Sequence, residues 1–176
     1  MKQKLKQTYM DVAKRFSQLS HARRLQVGCC IVKDDIMHPG YNGTPAGWDN
    51  NCEDRIWMDQ GAGGWLGPEE IEAQWPYEET VVVANDNESF ETTRRYRLKT
   101  KPEVLHAEPN ALAKMLKAGM STRDSDVFVT HAPCIDCAKI LSQAGVRSVT
   151  YGMAYRDTAG VDFLVKSGVI VEQYSD

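Results

Sequence analysis

The chain has 176 residues, 42% of them hydrophobic, with 24 acidic against 21 basic side chains and a net charge of −3. That is the size of one ordinary domain with enough apolar residues for a core. Acids are interspersed with bases and no basic block forms, which speaks against long nucleic-acid partners; no apolar run is long enough to span a membrane, and Met1 to Phe16 lacks the apolar stretch of an export signal.

Leu5, Tyr9, Val12, Ala13, Phe16 and Leu19 recur at helical spacing and predict an amphipathic helix ending near Ser20-His21. Val27–Val32 is an unbroken apolar run and predicts a buried strand, with a turn at Lys33-Asp34-Asp35 and a hairpin partner over Ile36–Tyr41 that Pro39 restricts. His38, in that hairpin, reads as structural. Gly40-Tyr41-Asn42-Gly43-Thr44-Pro45-Ala46-Gly47 then turns the backbone tightly. Asn42 offers a donor and an acceptor at a strand end, which suits a sugar hydroxyl.

Asp49 to Lys101 is the least legible stretch. It contains Gly61-Ala62-Gly63-Gly64 and, with Trp48, all four tryptophans. Pro68-Glu69-Glu70 opens a short helix, Val81–Ala84 reads as a short strand, and Phe90–Thr100 as helix or loop. The stretch is expected to be a partly ordered insertion, at about 45–103 of a single domain, that covers a site or makes subunit contacts.

From Val104 the pattern clears. Leu105, Ala107, Ala111, Leu112, Met115 and Leu116 mark a helix, with Gly119 as its C-terminal cap. His106 and Glu108 lie in its first turn, where Pro109 is tolerated. Val127–Thr130 is a buried strand leading through His131-Ala132 into Pro133-Cys134, which opens the next helix. Cys134 and Cys137, three apart, share a face of its first turn. Ala138, Ile140, Leu141 and Ala144 continue that helix to Gly145. A strand (Val146–Tyr151), a helix (Gly160–Ser167) and a last strand (Gly168–Val171) follow. Strands alternating with helices predict an α/β layered fold with its site at the sheet edge.

The five cysteines divide by context. Cys29 and Cys30 sit in an apolar run and read as buried thiols. Cys52, alone in a polar loop, reads as a free thiol or an accessory ligand. An odd count suits a reducing compartment, so a cytoplasmic protein is expected. His106, Cys134 and Cys137 supply three ligands of the kind a catalytic zinc takes, with a fourth place left for water. No second C-x-x-C completes a four-ligand structural site, and a redox dithiol has no use for an upstream His-x-Glu. Zinc lowers the pKa of water toward roughly 7. Glu108 is left over as proton carrier, for an attack on a carbon bearing an exocyclic amine. His131 stands at the rim of this site, open to substrate contact or a structural role.

His-x-Glu followed by Pro-Cys-x-x-Cys is the pattern of zinc deaminases acting on nucleobases. His106-Ala107-Glu108-Pro109-Asn110-Ala111, Pro133-Cys134-Ile135-Asp136-Cys137-Ala138-Lys139, Gly40-Tyr41-Asn42-Gly43 and Val27-Gly28-Cys29-Cys30-Ile31-Val32 together resemble the deoxycytidylate (dCMP) deaminase family. The resemblance is strong at the motifs and weak in the insertion. It implies a three-layer α/β/α cytidine-deaminase-like fold with a mixed five-stranded central sheet. It implies hydrolysis of dCMP to dUMP and ammonia for dTTP synthesis, a homohexamer, and control by dCTP as activator and dTTP as inhibitor, bound with Mg²⁺. It places Asn42 on the nucleotide sugar and Ala107, Ala132 and Pro133 around the base, with Tyr155 a further pocket candidate. Gly43 and Arg24 are the effector-site candidates. Arg23, Arg24, Lys117, Lys139 and Arg156 are candidates for the 5′-phosphate. Some viral members hold a second zinc in the insertion; here that region offers only Cys52 and no histidine, so one Zn²⁺ per subunit is expected. Other deaminases of the superfamily, on free bases, nucleosides or tRNA, are the nearest rivals. A zinc-stabilised binding module is less favoured, because it has no use for Glu108.

Overall fold

The structure is a computed structural model, and it describes residues 1–58, 67–84, 89–155 and 157–175. Two units emerge: Met1–Cys52 with Glu103–Asp176, and the inserted Glu53–Pro102. The Gly61–Gly64 stretch, Trp65 and Arg156 lie outside the described residues.

The first unit is built on a sheet of β1 (Gly28–Lys33), β2 (Ile36–Tyr41), then, past the insertion and its three strands, β6 (Asp126–His131), β7 (Ser148–Met153) and β8 (Ile170–Gln173). Their order is β2-β1-β6-β7-β8. β1 runs antiparallel to both its neighbours, while β6, β7 and β8 are parallel to one another. The sheet is therefore mixed and five-stranded, as the resemblance implies. Pro39 falls on β2, an edge strand, where its missing N–H costs no ladder bond.

The apolar run at Val27–Val32 does not alternate because both faces of the sheet are covered. Cys30 and Val32 join Phe128 under α1 (Gln3–Ser17), against Tyr9, Met10 and Ala13. Cys29 and Ile31 face the other way. There they join Val127, Val129 and Val149 under α3 (Ala107–Lys117), α4 (Ile135–Gln143) and α5 (Ala159–Lys166). This gives the three layers. Gly28 lets α1 lie against the start of β1, since a Cβ there would stand 1.9 Å from the Ala13 carbonyl oxygen.

Several boundaries and faces differ from the sequence reading, most of them where an apolar residue is exposed. α1 stops at Ser17, and Leu5 and Leu19 lie off its buried stripe. Leu105, Leu116 and Ile140 are likewise exposed. Gly119 and Gly145 adopt positive φ, +70° and +73°, at the ends of α3 and α4. β8 starts two residues later than expected, because Val169 still belongs to the turn after α5. Cys52 is 1% exposed, packed with Ala22 and Val104, its thiol directed at the Asn50 carbonyl 3.7 Å away. It is a core thiol, and among the described residues it joins no cluster of metal donors. His38 is structural: its Nε2 meets the Met120 sulfur at 3.1 Å.

The second unit holds β3 (Glu53–Trp57), α2 (Pro68–Gln74), β4 (Tyr77–Ala84) and β5 (Ser89–Thr100) in an antiparallel sheet ordered β3-β5-β4. Phe90–Thr100, expected as helix or loop, is thus a strand, and Val81–Ala84 is the end of a longer one. Trp57, Tyr96 and Tyr77 form one cross-strand row with centroids 5.2 and 5.3 Å apart. Arg94 lies over Trp57 and Arg55 over Tyr96, both at 5.1 Å. Ion pairs Arg55–Glu79 and Arg95–Glu78 add to it. Such cross-strand pairs hold a sheet whose one buried apolar side chain among the described residues is Leu98. Among the described residues no helix is long and apolar enough to cross a membrane.

Candidate metal centre

Two helices begin at the same place. His106 is the N-cap of α3 and Cys134 the N-cap of α4, both in extended backbone that points the side chain ahead of the first turn. Cys137 follows one turn into α4 and is buried. The two helices are locked by their buried faces, Ala107, Ala111 and Leu112 on one, Ala138 and Leu141 on the other. His106 Nδ1 lies 3.6 Å from the Cys134 sulfur and 3.3 Å from the Cys137 sulfur. All three donor atoms fall within 4.8 Å of one another.

This donor set fits zinc. Zinc–sulfur bonds of about 2.3 Å and zinc–nitrogen bonds of about 2.0 Å at tetrahedral angles separate N from S by about 3.5 Å. The protein reaches that spacing on its own side chains. Without an ion the site favours one thiolate, on Cys134, with Cys137 as its thiol donor. The Cys137 thiol and the His106 imidazole hydrogen-bond to Cys134 and hold it down at about 4. Cys137 is pushed up, first by its hydrogen bond to Cys134 and then by burial. The imidazole is raised mainly by Cys134, against burial. Both helix N-termini add partial positive charge.

Glu108 sits in the first turn of α3 and is 4% exposed. Burial pushes its carboxyl up, partly offset by its own backbone amide and by His106. A carboxyl raised this way is suited to both taking and giving a proton.

Most of the remaining predicted residues gather along one edge of the sheet; Lys117, at the far end of α3 from His106, does not. β2, β6 and β7 run in the same direction, since β1 opposes both β2 and β6. Asn42, Ala132-Pro133 and Tyr155 follow the carboxyl ends of these three strands. Gly43 pairs with Leu105 through both backbone groups, at 3.1 and 2.9 Å, which fixes the Asn42 loop beside His106. The Asn42 side chain is a clamp: Oδ1 accepts the Val27 N–H at 2.7 Å and Nδ2 donates to the Leu25 carbonyl at 2.8 Å. One proton and one lone pair of its amide remain for a ligand. Ala107 is fully buried, Pro133 is buried, and Ala132 donates its N–H to the Met153 carbonyl at 2.9 Å. Tyr155 is half-buried. Arg24 and Arg23 are exposed at the start of the loop before β1, Arg23 reaching the Asn51 side chain. Lys139 pairs with Asp136 at 3.2 Å, and Lys117 is exposed in the last turn of α3.

Residues 3–153 match the family described as the cytidine and deoxycytidylate deaminase zinc-binding region. The chain belongs to this deaminase family. Deoxycytidylate deaminase of Enterobacteria phage T4 is 30% identical over 172 residues, covering 93% of this chain and 86% of that protein. The human enzyme of the same name is 30% identical over 146 residues, 81% of this chain and 61% of its own length. Among solved structures, dCMP deaminase from the cyanophage S-TIM5 in complex with dCMP and dUMP aligns over 99% of both chains, with 35% identity and a TM-score of 0.71.

The deaminase fold also shows a residue that the sequence did not flag. A Cβ on Gly160 would stand 2.0 Å from the Pro133 carbonyl oxygen and 2.8 Å from the Cys134 carbonyl carbon. The start of α5 thus presses on the loop that carries the first cysteine, and only hydrogen fits. Gly160→Ala is expected to cost about 2 kcal/mol by overpacking, a Tm loss of roughly 4–8 °C at this chain length. Calorimetry checks it, and an unchanged Tm would show that the loop yields freely.

Proposed function

We propose that the protein is a zinc-dependent hydrolase that converts dCMP and water to dUMP and ammonia. One observation carries the proposal: the His106, Cys134 and Cys137 donors converge beside a buried Glu108 in a chain that aligns end to end with a dCMP deaminase. His106, Cys134 and Cys137 would hold Zn²⁺, leaving the fourth place open. When bound, zinc supplies Lewis acidity that brings the ionisation of water toward neutral pH.

The chain's own groups supply the rest. Glu108 takes a proton from the attacking water and passes it to the ring nitrogen next to the amine-bearing carbon. Glu108 then takes the remaining proton from the hydroxyl just added to the carbon, which becomes the product carbonyl, and gives it to the amine, so that the carbon–nitrogen bond breaks and ammonia leaves. The buried walls of Ala107, Ala132 and Pro133 enclose the base and keep bulk water away from the carboxyl. The free donor and acceptor of Asn42 suit the sugar, and Tyr155 lines the outer part of the pocket.

The same reading extends to biology and control. Product dUMP would feed dTTP synthesis in the cytoplasm. A homohexamer regulated by dCTP and dTTP with Mg²⁺ rests on the resemblance to dCMP deaminases alone. Gly43, whose backbone groups pair with Leu105, and Arg24 remain the candidates for effector contacts, the guanidinium being the one suited to a phosphate. The acidic net charge gives no footing for nucleic acid.

A substrate panel tests the reading. With dCMP, CMP, deoxycytidine, dCTP and cytosine followed by ultraviolet absorbance, dCMP should be turned over with the highest kcat/KM. Turnover of deoxycytidine or cytosine in preference to dCMP would reject the nucleotide assignment.

A further inference from the structure

A buried hydroxyl stands where β6 hands over to the cysteine loop. Thr130, 9% exposed, accepts the backbone N–H of Gly28 at 3.1 Å, and its Oγ1 lies 3.0 Å from Nδ1 of His131. A hydroxyl has one proton to give. With Gly28 on one lone pair, that proton goes to Nδ1. The reverse arrangement would leave the proton of a buried hydroxyl without an acceptor, which is costly. The neutral ring then carries its own proton on Nε2. Burial lowers the His131 pKa and keeps the ring neutral.

The ring's direction follows from the strand. Alternation along β6 puts His131 on the face of Val127 and Val129, the face that carries α3 and α4. It is half-buried, three residues ahead of Cys134, and the ligand set leaves it unused. Backbone pairing with Met153 on β7 fixes its position.

We propose that His131 is a specificity-determining residue that presents Nε2–H to an acceptor oxygen of the bound nucleotide. Thr130 is its positioning residue, setting tautomer and ring orientation. The inference rests on the nucleotide-deaminase reading above. Two oxygens share the required chemistry, the base carbonyl and the 5′-phosphate, and both are present on dCMP.

The test uses His131→Ala, His131→Gln and Thr130→Val, each with zinc content and Tm measured first, and both dCMP and deoxycytidine as substrates. His131→Ala should raise KM for dCMP about 10- to 100-fold with kcat nearly kept, the range for losing one good hydrogen bond. His131→Gln should restore most of the loss, because its terminal amide N–H reaches about as far as Nε2. Thr130→Val should fall between. If the phosphate is the acceptor, only the dCMP value rises; if the base carbonyl is, deoxycytidine rises in parallel. An unchanged KM for dCMP in His131→Ala overturns the proposal, and so does a loss that Gln repairs no better than Ala. A parent inactive on dCMP overturns the reading beneath it and is told apart because it fails before any variant is compared.

Discussion

Glu108→Gln is expected to abolish turnover while leaving fold and metal in place. The substitution keeps size and polarity at a position that is 4% exposed. It keeps the acceptor oxygen that the backbone amide of the first turn of α3 meets. It removes the one property the reaction needs, a group that accepts and returns a proton. In the proposed mechanism Glu108 acts at the attack and again at the departure of ammonia, so the loss should reach or exceed the upper end of a single general acid–base contribution, about 10⁴-fold in kcat. A variant that carries zinc and deaminates dCMP at close to the parent rate would remove Glu108 from the chemistry.

Cys134→Ser separates the metal from the fold in the other direction. Cys134 is the N-cap of α4 and makes no capping hydrogen bond with its side chain. Serine is among the preferred N-cap residues, worth about 1 kcal/mol over residues that cannot cap. Helix α4 should therefore form at least as well. The metal should be lost, because a serine hydroxyl does not ionise at neutral pH and two donors remain where zinc needs three. Elemental analysis after dialysis should find little zinc in the variant against about one per chain in the parent. Metal-free Tm should be equal or slightly higher. Full zinc content in Cys134→Ser would reject this cysteine as a ligand.

How much of this was legible in the sequence depends on what each segment needs. The donors that converge, His106, Cys134 and Cys137, were readable because metal chemistry demands particular donor types at short spacing. The strands at Val27–Val32 and Val127–Thr130 were readable because burial on both faces leaves an unbroken apolar run. β5 carries no such signal. Its Thr92, Thr93, Arg94, Arg95 and Arg97 are held by partners on β3 and β4 and by rings beneath guanidinium groups, none of them sequence neighbours. β3, with Glu53, Asp54 and Arg55, looks like loop for the same reason.

Long-range contacts explain the other differences. Cys52 lies among Asn50, Asn51 and Glu53 yet is buried by Ala22 and Val104, far away in the chain. Asn42 reads as a ligand-facing amide, and half of it is a clamp on residues 15 and 17 positions earlier. Gly160 carries no mark of its role, because the carbonyl it must clear belongs to another loop. The Thr130–His131 pair is adjacent in sequence, but its meaning comes from Gly28 on the neighbouring strand.

Diffraction recorded on either side of the zinc absorption edge, from crystals of the parent protein, tests the central claim most directly. The account predicts one strong anomalous peak bonded to His106 Nδ1 and the sulfurs of Cys134 and Cys137, its fourth position open to solvent and to Glu108. No peak there, or a metal closed off by a fourth protein side chain, would contradict it.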